Sequence, residues 1–274
     1  MSAKWILLVL AFLQGCSVTR LAYNNADMVL RWQANSYFDL QGEQSEEFER
    51  NLAAFLAWHR AKALPQYARL ADDAVERMQR GIRREDLEWS YDAVRAQIRE
   101  ALGVAAGEVA GLLDRLEPGQ ISHLERRLAE ENRKFAKEQV HGSMEERHKR
   151  RVKRNVERLE EWFGRLSEAQ IGRVERYSTR APFSAELRDH DRKRRQAEFV
   201  AMLRAREATR RLVPWAQDWE AGREPAYADA SRATRAAYID LLLDLDRTLD
   251  TDQREHAAKR LKRFAELFRS LTRQ

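Results

Sequence analysis

Apolar residues recur at the spacing of an α-helix along almost the whole chain. Val152, Val156, Leu159, Phe163 and Leu166, for example, occupy positions i, i+4, i+7, i+11 and i+14. Leu, Ala, Glu and Arg dominate the composition, and these residues favour helices over strands. No stretch alternates apolar and polar residues in the way that a half-buried strand does. The sequence therefore predicts an all-α fold without a sheet, an elongated bundle of about nine or ten helices.

Breaks in the apolar pattern place these helices. They are predicted near residues 18–38, 43–62, 65–80, 85–115, 118–140, 144–165, 168–178, 184–212, 226–247 and 251–272. Residues 16–274 are expected to form one helical domain, and an arrangement in two lobes that meet near residues 115–118 stays open.

The N-terminus is typical of a targeting segment. Lys4 precedes an apolar run over residues 5–13, which is shorter than the roughly 20 residues that span a bilayer. The run ends in Leu13-Gln14-Gly15-Cys16, which resembles a bacterial lipobox. That resemblance implies a signal peptide over residues 1–15, cleavage between Gly15 and Cys16, and acylation of Cys16. A short membrane helix or an ordinary secretory signal are the alternatives.

Ser17 follows the cysteine, where an Asp tends to retain lipoproteins in the inner membrane. The lipobox resemblance therefore implies a lipid-anchored protein of the outer membrane that faces the periplasm. Two or three acyl chains hold a protein stably on a membrane, whereas one chain is marginal.

The segment after the cysteine resembles a family of uncharacterised proteobacterial outer-membrane lipoproteins. The resemblance rests on a Tyr-Asn-Asn-Ala-Asp start at residues 23–27 and on Trp-His-Arg followed by Leu-Pro-x-Tyr within residues 58–67. It implies an all-helical envelope protein and brings no activity, cofactor or catalytic residue. The residues of these motifs that we expect to contribute to binding are Tyr23, Asn24, Asn25, Asp27, Trp58, His59 and Tyr67.

Leu-x-x-x-Gln occurs at four predicted helix starts. The Leu and Gln positions are 40 and 44, 116 and 120, 166 and 170, and 249 and 253. The pattern is similar to the Leu-Thr-x-x-Gln motif of small periplasmic chaperones of the Spy type, although Thr is absent from all four sites. Helix capping alone also explains it, because a Gln at the third helical position can accept from the cap N–H while the Leu packs on the first turn.

His59 is the best candidate for a functional imidazole, because Trp58 precedes it on an amphipathic helix. A structural histidine hydrogen-bonded between helices is the alternative. The sequence carries no HExxH, no G-x-S-x-G, no P-loop and no dinucleotide-binding glycines. We therefore expect no enzyme and no cofactor.

Three potential metal ligands, His141, Glu145 and His148, are spaced i, i+4 and i+7. Gly142 interrupts that spacing, and the neighbouring residues are strongly cationic. We therefore expect no metal site.

Basic residues are concentrated in two runs, over residues 147–154 and 188–195. The formal charge of +6 falls to +5 if residues 1–15, which carry only Lys4, are removed. Outside the cytoplasm the available anions are phospholipid head groups, lipopolysaccharide phosphates and acidic peptides, so nucleic acid is not expected as a partner. The predicted anion-binding residues are Arg147, Lys149, Arg150, Arg151 and Arg154. A solvated helix face with Glu–Arg pairs is the alternative, and Asp189-His190-Asp191 in the second run is expected to be solvated.

Together these observations predict a lipid-anchored, periplasm-facing lipoprotein that acts as a non-catalytic interaction or scaffold protein of the envelope. Its expected partners are the membrane, through the N-terminal lipid, and an envelope protein, an anionic lipid or lipopolysaccharide. A membrane-tethered chaperone of the Spy type, which binds unfolded clients, is the alternative. An envelope hydrolase centred near His59 is a third hypothesis.

Overall fold

The computed structural model describes residues 16–182 and 184–273. All regular structure in these ranges is helical and none of it is a strand, which confirms the predicted all-α class. The predicted signal peptide, with its Gly15–Cys16 cleavage site, lies outside the described residues, and so does the side chain of Cys16.

The helices run in chain order from α1 to α12. Their bounds are α1 Cys16–Asn24, α2 Ala26–Phe38, α3 Glu43–Trp58, α4 Leu64–Gln79, α5 Arg84–Leu113, α6 Pro118–Phe135, α7 Met144–Phe163, α8 Glu168–Arg180, α9 Ala185–Arg204, α10 Ala208–Gln217, α11 Pro225–Asp246 and α12 Thr251–Thr272. A π-helical stretch, His59–Ala63, joins α3 to α4, and a second one, Ala136–Val140, extends α6.

Two breaks divide helices that the sequence predicts as continuous. Asn25 separates α1 from α2, although Asn25 N–H still donates to the carbonyl of Leu21. Arg206, with a φ of 53°, separates α9 from α10. A positive φ at a non-glycine residue carries no clear sequence signal, so this second break could not be read from the pattern.

The main core lies between α2, α5, α6, α9 and α10. Its fully buried members include Leu112, Leu124 and Leu203. A second cluster around Leu159 and Leu245 joins α7, α8 and α11. Burial of each such leucine contributes about 1.5–3 kcal/mol, so these faces account for most of the drive to pack the helices.

Glycines of α5 lie at its contact with α10. Gly103 lies directly against the side chain of Gln217 of α10, where a Cβ atom would clash. Gly107 faces Val213 of the same helix. The glycines therefore serve the close approach of α5 and α10.

Capping boxes start three of the four helices that follow the Leu-x-x-x-Gln turns. At α8, Gln170 N–H donates to Ser167 Oγ at 3.3 Å, and Ser167 N–H donates to Gln170 Oε1 at 2.9 Å. Asp250 and Gln253 form the same box at α12, and Glu117 and Gln120 form one at α6. At α3 the cap residue is Gly42, whose lack of a side chain leaves no box.

The capping glutamines also pair with one another across the fold. Gln170 Nε2 donates to Gln253 Oε1 at 2.8 Å, and Gln253 Nε2 donates back to Gln170 Oε1 at 3.0 Å. Each amide then donates to the end of the other's preceding helix, Gln170 to the carbonyl of Thr248 and Gln253 to that of Arg165. This buried joint ties the α7–α8 corner to the α11–α12 corner.

A second joint of the same kind ties the α2–α3 corner to the α5–α6 corner. Gln120 Nε2 donates to Gln44 Oε1 at 2.7 Å, and Gln44 Nε2 donates to Gln120 Oε1 at 3.2 Å. Gln120 also donates to the carbonyl of Asp39 at 2.9 Å. The leucines that lead all four turns are buried, namely Leu40, Leu116, Leu166 and Leu249. The residues of the repeated motif therefore form two structural joints between helix corners.

The second basic run is more buried than predicted. Asp189 and Asp191 lie on the inner side of α9, where Asp189 pairs with Lys193 at 2.6 Å and Asp191 with Arg194 at 2.7 Å. The expectation that this stretch is solvated is wrong for the two aspartates, because i, i+3 and i, i+4 partners neutralise them. His190 between them is exposed.

Replacing Gln253 with Ala should lower the free energy of unfolding by about 2–4 kcal/mol, because Gln170 and the carbonyl of Arg165 lose buried partners. Urea denaturation measures the change. Gln66→Ala, at an exposed position of α4, is the matched control and should change stability by less than about 0.5 kcal/mol. Equal effects of the two substitutions would show that the joint contributes nothing.

Candidate functional site

The two motifs of the N-terminal region meet around His59. Tyr23 of α1 lies with its hydroxyl 3.0 Å from His59 Nδ1, and the ring of Tyr67 of α4 packs edge-on against the imidazole. Trp58 also contacts the imidazole edge-on and stacks on Phe55. Distant segments therefore place the predicted residues Tyr23, Trp58, His59 and Tyr67 in one aromatic cluster.

A local widening of the helix positions His59. The N–H of Leu64 donates to the carbonyl of His59, five residues earlier, which is the bond of a π-helical turn. Pro65 follows and has no N–H to donate to Ala61, so the regular ladder is interrupted at this point. The proline of the Leu-Pro-x-Tyr element thus helps to shape the turn that presents His59.

Burial governs the electrostatics of the cluster. Burial and the adjacent Arg60 charge lower the pKa of His59 to about 4. Burial also raises the pKa of Tyr23 and that of Tyr67 to about 12. At neutral pH all three rings are uncharged, so the Tyr23 hydroxyl can donate to His59 Nδ1 and leave the imidazole proton on Nε2. This arrangement is that of a structural histidine held between helices.

A cleft of about 430 Å³ adjoins the cluster, and the motif residues Asn24 and Asp27 line it. Asp27 pairs there with Arg31 at 2.9 Å, and Arg31 also binds Glu49 at 3.2 Å. Asn24 lines the same cleft, whereas the Asn25 side chain donates to the carbonyl of Leu21. The cleft is thus largely neutralised by its own ion pairs.

Among the described residues, no carboxylate lies at ion-pair distance from Arg60, the second cation that lines this cleft. Its guanidinium lies 5.6 Å from the centre of the Tyr23 ring, and its buried Nε has no hydrogen-bond partner. Such a group can accept a small carboxylate or phosphate, although its position over a tyrosine ring also fits simple packing.

The first basic run divides between paired and unpaired residues. Arg147 is buried and binds Glu186 at 2.6 Å, while the exposed Lys149 binds Glu145 at 2.8 Å. Arg151 donates to the carbonyl of Ala181 at 2.9 Å. Arg150 donates to the carbonyl of His141 at 2.7 Å. Four of the five predicted anion-binding residues are therefore engaged within the fold.

Arg154 lies next to other arginines of α7 and α9. Within the part of the chain that the structure describes, no ion pair or hydrogen bond involves Arg154 or Arg158. Partial desolvation and the charges of four nearby arginines lower the pKa of Arg154. Those neighbours include Arg150, Arg158 and Arg188. We call Arg150, Arg154, Arg158 and Arg188 the arginine patch.

The sequence indicated Arg150 and Arg154 but missed the other half of the patch. Arg158 continues the stripe of Arg150 and Arg154 at i+4, and this periodicity was available from the sequence alone. Arg188 comes from α9, and only the packing of α9 near α7 brings it to the patch. Guanidinium groups bind phosphate through two parallel hydrogen bonds, so a site of this kind favours phosphate-bearing anions.

Several large apolar side chains are exposed on α1 and α2. Leu21, Met28 and Trp32 are 65, 59 and 63 % exposed. Hydrogen bonds through Asn25 keep the two helices in phase, so positions 21, 28 and 32 lie on one face. No described helix combines the length and the apolar character that crossing a membrane requires.

The His141–Glu145–His148 spacing does not form a metal site in the described residues. His141 lies outside α7 with an extended backbone, because Gly142 and the capping box of Ser143 and Glu146 begin a new helix. No group of three or more His, Cys, Asp or Glu residues converges anywhere in the described ranges.

A family model described as a family of unknown function, DUF6279, matches residues 36–227. Neither the search of curated proteins nor that of solved structures found a match.

The buried imidazole makes stability depend on pH in a defined direction. The unfolded chain binds a proton at His59 near the ordinary pKa of 6.5, whereas the folded chain does so only near 4. Stability from this group is therefore complete above pH 6.5 and is lost as the pH falls towards 4, by about 3 kcal/mol in total.

His59→Gln should remove that part of the pH dependence, measured as the free energy of urea unfolding at pH 7 and pH 4.5. The exposed His256 is the matched control, and His256→Gln should leave the wild-type slope unchanged. A wild-type slope in His59→Gln would contradict the assignment of a buried, neutral imidazole.

Proposed function

We propose a function for this chain, which belongs to the DUF6279 family of unknown function. The chain is a lipid-anchored, periplasm-facing interaction protein of the cell envelope without catalytic activity. The observation that supports this proposal best is the arginine patch. Four guanidinium groups on two helices lie close together, and no carboxylate pairs with any of them in the described part of the chain.

The patch contrasts with arginines elsewhere in the chain that bind carboxylates. Arg77 and Arg80 share Asp86, Arg210 and Arg211 share Glu207, and Arg254 binds Asp246. Four neighbouring cations without such partners repel one another, and an external polyanion relieves that repulsion. Phosphate groups of anionic envelope lipids are anions of this kind.

The apolar face of α1 and α2 supports the membrane location. Leu21, Met28 and Trp32 follow the predicted lipid attachment site within 16 residues and share one helix face. Exposed apolar side chains next to an acyl anchor gain free energy by lying in the interface, where tryptophan is especially favoured. The apolar face and the acyl anchor would then both contribute to binding the same membrane.

The surroundings of His59 support a role without catalysis. The imidazole is neutral and hydrogen-bonded to a tyrosine whose pKa is about 12, so neither group is suited to accept or donate a proton near neutral pH. The leucines of the Leu-x-x-x-Gln motif are buried, and its glutamines bond one another in structural joints, which favours a capping role for the motif over a client-binding one.

Cys16→Ala should release the protein from the membrane fraction and abolish incorporation of an alkyne-labelled fatty acid, because the acyl chains supply most of the membrane affinity. Fractionation of cell envelopes and in-gel detection of the label measure the two effects. Ser17→Ala is the neighbouring control and should keep both properties. Membrane association and labelling of Cys16→Ala at the wild-type level would exclude the lipid anchor.

Neutralising the arginine patch should weaken binding to anionic membranes. On the Cys16→Ala background, the double variant Arg154→Gln and Arg158→Gln should bind phosphatidylglycerol vesicles about thirtyfold more weakly, at about 1 kcal/mol for each charge. Vesicle sedimentation at fixed ionic strength measures the partition coefficient, and phosphatidylcholine vesicles report the uncharged background.

A control with the same change in net charge comes from the same helix. Lys149 and Lys153 are paired with Glu145 and Glu157, so replacing both with Gln should change the partition coefficient by less than threefold. An equal loss in both double variants would mean that only net charge matters, and would contradict a specific patch.

A further inference from the structure

An apolar cavity of about 250 Å³ lies at the centre of the main core. Side chains from α2, α3, α5, α6, α9 and α10 line it, and Phe48, Leu102 and Phe199 are typical of them. Almost all of the surface it presents is carbon. Ligand sites in proteins are commonly cavities of this character, with a few polar groups that fix the orientation of the ligand.

Two buried polar side chains from adjacent positions of α9 reach this cavity. Gln196 is 7 % exposed, and its Oε1 accepts from Asn132 Nδ2 at 2.6 Å. Its Nε2, by contrast, has no hydrogen-bond partner in the described structure. A buried amide donor without a partner destabilises the fold, so the position favours an acceptor that enters through the cavity.

Arg195 provides a positive charge beside this amide. The guanidinium is 8 % exposed, stacks on the Trp215 ring at 4.1 Å and donates to the carbonyl of Trp215 at 2.9 Å. Within the described residues no carboxylate lies within ion-pair distance of it, and Glu198 and Asp191 nearby are both bound to Arg194. A guanidinium has five N–H groups, so Arg195 keeps donors for a ligand.

A third polar group faces the cavity from α2. Gln33 Oε1 is buried there and has no hydrogen-bond partner among the described residues. The carboxylate of Glu108 also lines the cavity, from a partly exposed position on α5. The Glu108 carboxylate repels a negatively charged ligand head, whereas the Arg195 guanidinium attracts it. Such a head is therefore expected at Arg195 and Gln196.

We propose that this cavity binds a long-chain fatty acid, whose alkyl chain fills the apolar volume and whose carboxyl group accepts hydrogen bonds from Gln196 and Arg195. A carboxylate has two oxygens, so it can accept from both donors at once. An alkyl chain matches the apolar lining, because each methylene that leaves water for the cavity favours binding. The proposal is independent of the arginine patch, since none of the four patch residues lines the cavity.

Titration of the full chain with cis-parinaric acid, whose fluorescence rises in an apolar site, tests this proposal. The chain carries Cys16→Ala, so that its own acylation does not interfere. We expect saturable binding of one molecule per chain. Palmitic acid should displace the probe at a concentration at least tenfold lower than 1-hexadecanol, because only the acid presents a carboxylate to Gln196 and Arg195.

Two variants assign the binding to this cavity. Gln196→Leu should weaken binding of the probe at least fivefold, whereas Gln66→Leu, at an exposed site, should leave it unchanged. Ala105→Phe places a ring in the cavity and should abolish binding. The circular dichroism spectrum and the melting temperature of each variant show whether it is folded.

Several results would overturn the proposal. They are the absence of saturable binding to the wild-type chain, equal displacement by palmitic acid and 1-hexadecanol, and wild-type affinity in folded Ala105→Phe. The Arg154→Gln and Arg158→Gln variant should bind the probe normally, so failure of this proposal is distinguishable from failure of the proposed function.

Discussion

The reciprocal hydrogen bonds of paired glutamines are the constraint on which the arrangement of helices depends. An amide side chain offers two donors and an acceptor, and burying it is favourable only when all of them are satisfied. At Gln170 and Gln253 these groups are used by the partner amide, by the partner's helix end and by the cap N–H of the residue's own helix. Because a shift of one corner breaks every bond that joins the two corners, the joint fixes which corners meet and at what depth. The same device at Gln44 and Gln120 fixes the other set of helices, so two similar joints hold most of the fold.

The parts of this structure that could be predicted from the sequence are those encoded by local rules. Helical periodicity gave the fold class, and the Ser143–Glu146 and Ser167–Gln170 capping boxes gave two helix starts at the correct residues. The pairing of the glutamines could not be predicted, because a capping glutamine has the same local pattern whether or not a second one faces it. Similarly, the periodicity marked Arg154 as basic but not as unpaired, since the nearest acidic residues are placed by tertiary packing. His59 could be singled out by its neighbours, whereas its burial and its bond to Tyr23 depend on α1 reaching α4.

The unusual preference of this chain for arginine also has a physical explanation in the core. Lysine occurs 9 times in the sequence, which leaves 41 of the 50 basic residues as arginine. On α9, Arg188, Arg192 and Arg195 follow i, i+4 and i+7 on one face. Arg188 and Arg192 lie over the Phe135 ring at 5.4 and 4.4 Å, and Arg195 lies over the Trp215 ring. A flat, weakly hydrated guanidinium can stack on a ring while it still donates in its own plane, which an ammonium group cannot do.

This row of arginines on α9 runs from one proposed binding region to the other. Arg188 belongs to the surface patch and Arg195 lines the central cavity, about 10 Å further along α9 at 1.5 Å per residue. Arg192 between them is buried, donates to Asn132 Oδ1 at 2.8 Å and has its pKa lowered by burial. The fold therefore keeps a costly charge inside, and none of the described carboxylates forms an ion pair with it. Cations retained in this way place positive potential both at the surface and beside an apolar volume. In both proposals the matching ligand group is therefore an anion, a phosphate at the exposed patch and a carboxylate beside the apolar cavity.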